Sequence, residues 1–297
     1  MALEDLLAGW TGPSSTTERD KQDRTERMVR DAVSAHPAFE SASLRVFAKG
    51  SYANNTNVRA DSDVDIAVEC QDVVYWGEHT TGAHPPSLPY EGEWTPARLR
   101  QELVYALRAK FGTVVDSSGN TAIRVHSSTA RVEADVVPSF TFHYYFSATS
   151  YRKGTKTFKS DNASAVENYP AQHMEKGRDK NTRTNQAYKK AVRILKRVEN
   201  AMATTGYHAE VPSYLIECLV YNCPDDMFRR STWSSVTQAV VAHIYNELEG
   251  AEPNDEEDRW LEVNECKFLF HSGQKWTRAA ARDFALAAWR YLDLEKV

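Results

Sequence analysis

Residues 46–71 read Val-Phe-Ala-Lys-Gly-Ser-Tyr-Ala-Asn-Asn-Thr-Asn-Val-Arg-Ala-Asp-Ser-Asp-Val-Asp-Ile-Ala-Val-Glu-Cys-Gln, and this stretch decides the fold. It parses as a strand, a Gly-Ser turn, a polar loop, and a second strand carrying Asp63 and Asp65. Period-two alternation puts Asp63 and Asp65 on one face of that strand, while Val64 and Ile66 face the other way. Two carboxylates so spaced on a strand end make a poor core and a good clamp for a hard divalent cation. Lys49-Gly50-Ser51 closes the preceding strand. Gly50 lets the backbone approach a ligand, and Ser51 offers a hydroxyl and an N–H to a phosphate.

An Asp-x-Asp alone also suits an ordinary polar loop. The Gly-Ser ahead of it, with β-rich apolar stretches on both sides, is the more specific sign. In this combination the sequence resembles the polymerase-β-like nucleotidyltransferases.

A chain of 297 residues can form one large domain or two lobes, and at this size roughly 75% of the unfolded surface is buried. Hydrophobic residues at 41% and charged residues at 26% are ordinary soluble composition. No apolar run approaches membrane-spanning length, and the acidic start Met1-Ala-Leu-Glu-Asp lacks the basic end of a signal peptide. The cysteines Cys70, Cys218, Cys223 and Cys266 show no framework spacing, which fits free thiols in a cytoplasmic protein. The net charge of −5 excludes a protein devoted to coating nucleic acid, so any anion site must be a local basic cluster. Residues 176–197 supply one, with Lys or Arg at 176, 178, 180, 183, 189, 190, 193, 196 and 197 against the single acid Asp179.

Residues 15–35 read as a polar amphipathic helix capped by Ser15 or Thr16 and ended by Pro37. Ser43–Ala48 and Val64–Gln71 are the strands of the opening element. Residues 72–93, rich in Gly and Pro, read as a loop, and its His79 and His84 are weak candidates for metal ligation. Thr95-Pro96 caps and opens a helix to Phe111, with Leu99, Leu103, Ala106 and Leu107 on one face and Gly112 as its stop. Val114–Asp116, Ala122–His126 and Arg131–Phe140 follow as strands, Thr141–Phe146 continues as a further strand, and 151–165 reads as a basic loop. Beyond Tyr169 the texture turns helical, with helices expected over Asn185–Thr204, Ser213–Tyr221 (capped by Ser213), Trp233–Leu248 and Thr277–Leu292. The expected architecture is α+β. A nucleotidyltransferase lobe of mixed sheet and helices spans residues 1–168, a helical lobe spans 169–297, and an active-site cleft lies between them.

Nucleotidyl transfer requires a deprotonated hydroxyl, neutralised charge at the α-phosphate, and a held pyrophosphate. Two Mg²⁺ ions, for which Mn²⁺ can substitute, supply the first two when three carboxylates hold them. Asp63 and Asp65 are two of these, and Asp135, in the β-branched run before Val136-Val137-Pro138, is the candidate third. Glu133 shares its face and competes for the role; for either, an exposed edge-strand acid is the bland alternative.

Among polymerase-β-like enzymes, the chain most resembles the bacterial cGAS/DncV-like nucleotidyltransferases, and within them clade E. The matching runs begin with Gly50-Ser51-Tyr52-x-Asn54-x-Thr56-Asn57-x-Arg59-x-Asp61-Ser62-Asp63-Val64-Asp65, followed by Asp135-Val136-Val137-Pro138. They continue through Asn168-Tyr169-Pro170-x-x-His173, Gly177, Lys180-Asn181 and Thr184-Asn185 to Pro212-Ser213-Tyr214-Leu215-x-Glu217-Cys218-Leu219. The resemblance implies an enzyme that joins two NTPs into a cyclic dinucleotide, which activates a separate antiphage effector. It implies that Lys196, with Lys189 as second candidate, holds donor phosphates, and that Ser213 and Tyr214 touch those phosphates and stack on the base. Stacking is worth about 1–3 kcal/mol and does not choose the letter. Asn168, before Tyr169-Pro170, is the position associated with accepting uracil, which favours UTP and ATP as substrates and cyclic UMP-AMP as product. The protein is expected to be a monomer without membrane contact; its activating signal, phage RNA among the candidates, stays open. A transferase acting on RNA or a small-molecule acceptor, or a catalytically silent nucleotide-binding module, are the alternatives.

Overall fold

The computed structural model describes residues 2–13, 15–58, 63–161 and 164–297. Arg59, Asp61 and Ser62 of the opening motif lie outside the described residues. The elements in order are α1 (Leu3–Gly9), α2 (Thr16–Ser34), β1 (Leu44–Lys49), α3 (Gly50–Ala53), β2 (Val64–Glu78), α4 (Pro96–Phe111), β3 (Val115–Asp116), β4 (Ile123–Val125) and β5 (Ala134–Ser147). They continue with β6 (Ser150–Phe158), β7 (Ala165–Asn168), α5 (Pro170–Arg183), α6 (Ala187–Thr204), α7 (Ser213–Tyr221), α8 (Trp233–Glu247) and α9 (Arg278–Tyr291). They form two compact units. The sheet-bearing unit comprises Ser14–Ala53 and Arg59–Pro170; the helical unit comprises Met1–Pro13, Asn54–Val58 and Ala171–Val297.

In the sheet-bearing unit the strands run in the order β1-β2-β5-β4-β3, and β6 joins β5 and carries β7. Only the β2–β5 pair is parallel among these ladders, so the sheet is mixed. Parallel neighbours need a long crossover, and here it includes α4. Val64, Ile66, Val68 and Val136 are buried in one cluster with Val29 and Val33 of α2 and Leu99, Leu103 and Leu107 of α4. That leaves the opposite parity of β2, starting with Asp65, for the other face. Helix α2 begins with a full capping box, Ser15 and Glu18 each accepting the other's backbone N–H. Thr95 caps α4, and Gly112 ends it with φ +70°.

In the helical unit, α1 and α6–α9 enclose a separate core that includes Leu7, Tyr188, Leu195, Leu215, Leu219, Ile244 and Phe284. No helix among the described residues is long and apolar enough to cross a membrane.

Several expected boundaries move for physical reasons. The span 72–93 is not all loop, because Val74–Glu78 continue β2 by pairing with Thr141–Tyr145 after an irregularity at Cys70/Val74. The span 151–165 is not a loop either: Tyr151–Lys156 pair with Phe140–Tyr145, and β6 in turn carries β7. Its lysines look loop-like, yet charged residues are a regular feature of strands near a sheet edge. The Gly-Ser turn is a one-turn helix, and helix α5 over 170–183 was not anticipated from its polar composition. Helix α6 starts at Ala187, since Asn185 and Gln186 both take left-handed backbone angles. Pro212 occupies the cap position of α7; Ser213 is its first helical residue and gives no side-chain cap.

Candidate active site

Strand register assembles the site in the sheet-bearing unit. Lys49 of β1 pairs with Asp65 of β2, Asp65 pairs with Asp135 of β5, and Asp135 pairs with Arg124 of β4. Four adjacent strands thus place a cation, two carboxylates and a second cation in one row. Because directly opposed residues in a sheet project to the same face, the row is one electrostatic unit. Asp63 stands immediately before β2, and Val64 N–H donates to the Glu133 carbonyl oxygen at 3.0 Å.

Asp65 and Asp63 carry the marks of crowding. Asp65 is raised above its ordinary carboxylate value, first by desolvation and then by the Asp135 charge, with Lys49 opposing. Asp63 lies at an exposed position, yet it too is raised, by partial desolvation and then by Asp135, Glu133 and Asp65, with Arg124 opposing. Arg124 Nε lies 3.3 Å from Asp135 Oδ1 and 3.1 Å from Glu133 Oε1. The two acids that competed for the third-ligand role therefore share one guanidinium.

Gly50 is required by two facts at once. Its φ is +70°, and a Cβ there would run into the Asp65 carboxylate. The glycine is what lets the Asp65 side chain lie against the α3 backbone, beside Ser51. Chemically this is an all-oxygen donor set suited to a hard cation, with repulsion that a cation would relieve. Among the described residues, however, no three His, Cys, Asp or Glu side chains are gathered tightly enough to share one ion, and Asp135 faces Arg124.

Asn168 also belongs to the sheet-bearing unit, at the end of β7 opposite Thr155, with its side chain partly buried and making no hydrogen bond among the described residues. The other nucleotide-binding candidates belong to the helical unit.

There the basic cluster changes meaning. Lys196 is 2% exposed, with Nζ 3.0 Å from Glu217 Oε2 and 3.2 Å from Thr56 Oγ1. Lys180 is buried against the Cys223 carbonyl at 2.7 Å and Asp225 at 2.8 Å. Arg193 donates to the carbonyls of Thr11 and Asn55, and Arg197 to those of Trp10 and Gly12. These cations hold the helical unit together. Lys189 is half-buried, and its ammonium makes no hydrogen bond or ion pair among the described residues. Desolvation lowers its pKa, with Glu217 opposing.

Sequence reasoning matched Glu217 within a motif and did not see its role. The carboxylate is fully buried and accepts from Thr56 Oγ1 at 2.6 Å, His173 Nε2 at 2.8 Å, Lys196 at 3.0 Å, and the Asn54 amide. Burial alone would raise its pKa; Lys196, then His173 and Thr56, drive it well below the usual range instead. The available signal was a lone acid inside the apolar run Leu215-Ile-Glu-Cys-Leu-Val. Arg124 was missed too, although it is an exposed cation between the buried Ile123 and Val125.

Tyr214 is partly buried, its hydroxyl donating to Glu262 Oε2 at 3.0 Å, with Ser213 beside it at the start of α7.

A mixed sheet with a parallel central pair, acids in register across that pair, and helices on one face defines the polymerase-β-like nucleotidyltransferase fold. Comparison with known proteins identifies the family. Residues 175–293 match the cGAS/DncV-like nucleotidyltransferase C-terminal helical domain. The chain is 34% identical to the cyclic dipyrimidine nucleotide synthase CdnE of Legionella pneumophila, covering 98% of each. It is 32% identical to the cyclic dipurine nucleotide synthase of Elizabethkingia meningoseptica, over 98% of this chain and 99% of the relative. The solved structure of Rhodothermus marinus CdnE c-UMP-AMP synthase with Apcpp and Upnpp superposes with a TM-score of 0.81 at 26% identity, covering 98% of this chain and 94% of that one. The chain belongs to the cGAS/DncV-like nucleotidyltransferases, in clade E, and is an enzyme of the nucleotidyltransferase class.

Proposed function

We propose that this enzyme joins two NTPs into a cyclic dinucleotide that contains uridine, cyclic UMP-AMP in the first instance, as the messenger of an antiphage system. The observation that carries the reading is the in-register pair Asp65–Asp135 on parallel neighbouring strands, beside Gly50.

Each of two successive transfers forms one phosphodiester bond from a ribose hydroxyl to an α-phosphate and releases pyrophosphate. Asp63, Asp65 and Asp135 are the residues that would hold Mg²⁺. Bound there, the ions would neutralise phosphate charge and lower the pKa of the attacking hydroxyl. Asp135 accepts the proton that the hydroxyl loses. The α3 backbone and the Ser51 hydroxyl bind phosphate oxygens. Of the two lysines, Lys189 is the better phosphate ligand, since Lys196 is committed to Glu217. Tyr214 stacks on a base and Ser213 hydrogen-bonds to phosphate. The Asn168 carboxamide offers a donor and an acceptor to the uracil edge.

Overall similarity does not choose the bases. Relatives of nearly equal identity are named for dipyrimidine and for dipurine products. The test is incubation of the purified protein and Mg²⁺ with each pair of labelled NTPs, followed by phosphatase and chromatography. Phosphatase-resistant product containing uridine is expected without any primer. Products that need an RNA or small-molecule acceptor would overturn cyclic synthesis, and purine-only products would overturn the uridine assignment.

A further inference from the structure

The ring proposed to stack on a base is held from outside its own helix. Tyr214 meets the His173 ring edge-on at 5.5 Å between centroids and the Trp276 ring at 6.3 Å. Its hydroxyl donates to Glu262 Oε2, and the Asn264 amide nitrogen lies 3.3 Å from the same hydroxyl. Glu262 is itself fixed independently of Tyr214. Asn264 Nδ2 donates to its Oε2 at 2.6 Å, and Gln274 Nε2 donates to its Oε1 at 2.5 Å.

The backbone beneath is a small hairpin. Leu261 bridges Phe268, Glu262 N–H donates to the Lys267 carbonyl at 2.9 Å, and Leu269 N–H to that of Trp260 at 2.7 Å. Trp276 Nε1 is tied to the Leu269 carbonyl at 2.9 Å, so the hairpin also sets the neighbouring ring. Glu262 is 6% exposed, and no Lys or Arg pairs with it among the described residues. A buried carboxylate held only by neutral donors is costly relative to an apolar residue. Among the described residues, its one hydrogen bond with a candidate ligand-binding group is to the Tyr214 hydroxyl. That hydroxyl stays protonated, because burial, Cys218 and Glu262 all raise its pKa.

We propose that Glu262, at the base of the hairpin 260–269, is a positioning residue for nucleotide binding. By anchoring the Tyr214 hydroxyl it fixes the plane of the ring on which the base stacks. The inference rests on Tyr214 being that stacking ring. A ring fixed before the nucleotide arrives loses less freedom on binding, so the benefit appears as affinity. Stacking is indifferent to the letter, so loss of the anchor weakens UTP and ATP alike.

The experiment is a double-mutant cycle read by calorimetric binding of non-hydrolysable UTP and ATP analogues in Mg²⁺, with KM and kcat measured beside it. Glu262→Gln and Tyr214→Phe should each weaken both analogues about tenfold, the value of one hydrogen bond to a charged group. KM should rise with kcat within about twofold of wild type. The double variant should bind no more weakly than either single. Additive losses, or losses confined to one base, would overturn the positioning role. Should Glu262→Gln fail to fold, Tyr214→Phe alone decides, since it removes only the hydroxyl: unchanged binding overturns the proposal and a tenfold loss supports it. Tyr214→Ala tests the underlying reading separately. If it leaves binding intact, the stacking assignment falls; if it weakens binding while Tyr214→Phe and Glu262→Gln do not, stacking stands and the anchor falls.

Discussion

Glu217 and Asp65 are both carboxylates removed from bulk water, and their surroundings push them in opposite directions. Glu217 accepts from four side chains of the helical unit and is held well below its ordinary pKa. Asp65 is held above its own, first by desolvation and then by the Asp135 carboxylate in register with it, with Lys49 opposing. The first has all the positive charge and hydrogen bonding it can use. The second, with Asp63, has unmet demand for positive charge. A fully compensated buried acid is a structural element, while a crowded, undercompensated group of acids is disposed to bind cations.

The comparison breaks most sharply at the sheet. Asp65→Asn, and Asp63→Ala with Asp65→Ala, should abolish nucleotide joining by a thousandfold or more, since loss of a cation removes several kcal/mol of transition-state stabilisation. The same Asp65→Asn change should leave the thermal midpoint unchanged or raised, because the charge it deletes is disfavoured in the fold. Retained synthesis in either variant would remove the carboxylates from the mechanism. A marked fall in the midpoint of Asp65→Asn would mean that its charge is compensated after all.

Glu217 should show the converse. Glu217→Ala strands the buried Lys196 and should cost about 3–5 kcal/mol, read as an earlier urea or thermal transition. Its charge should also be visible in the acid limb of stability. The folded pKa is depressed, so the contribution is fully present above the unfolded carboxylate value and is lost as pH falls through the folded one. Wild-type stability should therefore drop below about pH 4–5 more steeply than that of Glu217→Gln. Parallel acid limbs for the two proteins would place the acid sensitivity elsewhere.

How far these differences could be read in the chain depended on range. Period-two spacing showed which side of β2 would carry Asp65, and Asp135 was identifiable as its companion before Val136-Val137-Pro138. Caps at Ser15 and Thr95 marked helix starts, because a hydroxyl accepting a backbone N–H is a local event. Strand β6 was illegible because pairing with β5 overrides its loop-like lysines, and the burial of Lys196 was illegible for a similar reason. A lysine in a basic run looks solvated until its distant partners Glu217 and Thr56 are known. Glu262 carried no sequence signal at all, since its role depends on a tyrosine 48 positions away.

The two lysines of α6 carry the comparison to smaller effects. Lys189→Ala removes an uncommitted cation and should raise the KM for NTPs about tenfold while leaving the unfolding midpoint close to wild type. Lys196→Met should do the reverse, lowering the midpoint by stranding Glu217. If Lys196→Met folds normally and loses NTP affinity, the burial argument fails and Lys196 is the phosphate ligand.

The smallest effect is expected at Asn168, the other uncommitted polar side chain among the candidates. A carboxamide that the fold does not use is free to read a base edge, and one neutral hydrogen bond is worth about 0.5–1.5 kcal/mol. Asn168→Ser should therefore shift competition between UTP and purine NTPs about fivefold toward purines, with total turnover nearly preserved. Competition with two labels in one reaction measures that ratio without reference to enzyme concentration. An unchanged ratio would make Asn168 a residue of the strand end alone, and base choice would then have to reside outside β7. A large loss of turnover with no change of ratio would point to the backbone instead. The Asn168 carbonyl lies where a side chain on Gly154 would collide with it, so β6 and β7 pack closely at this point.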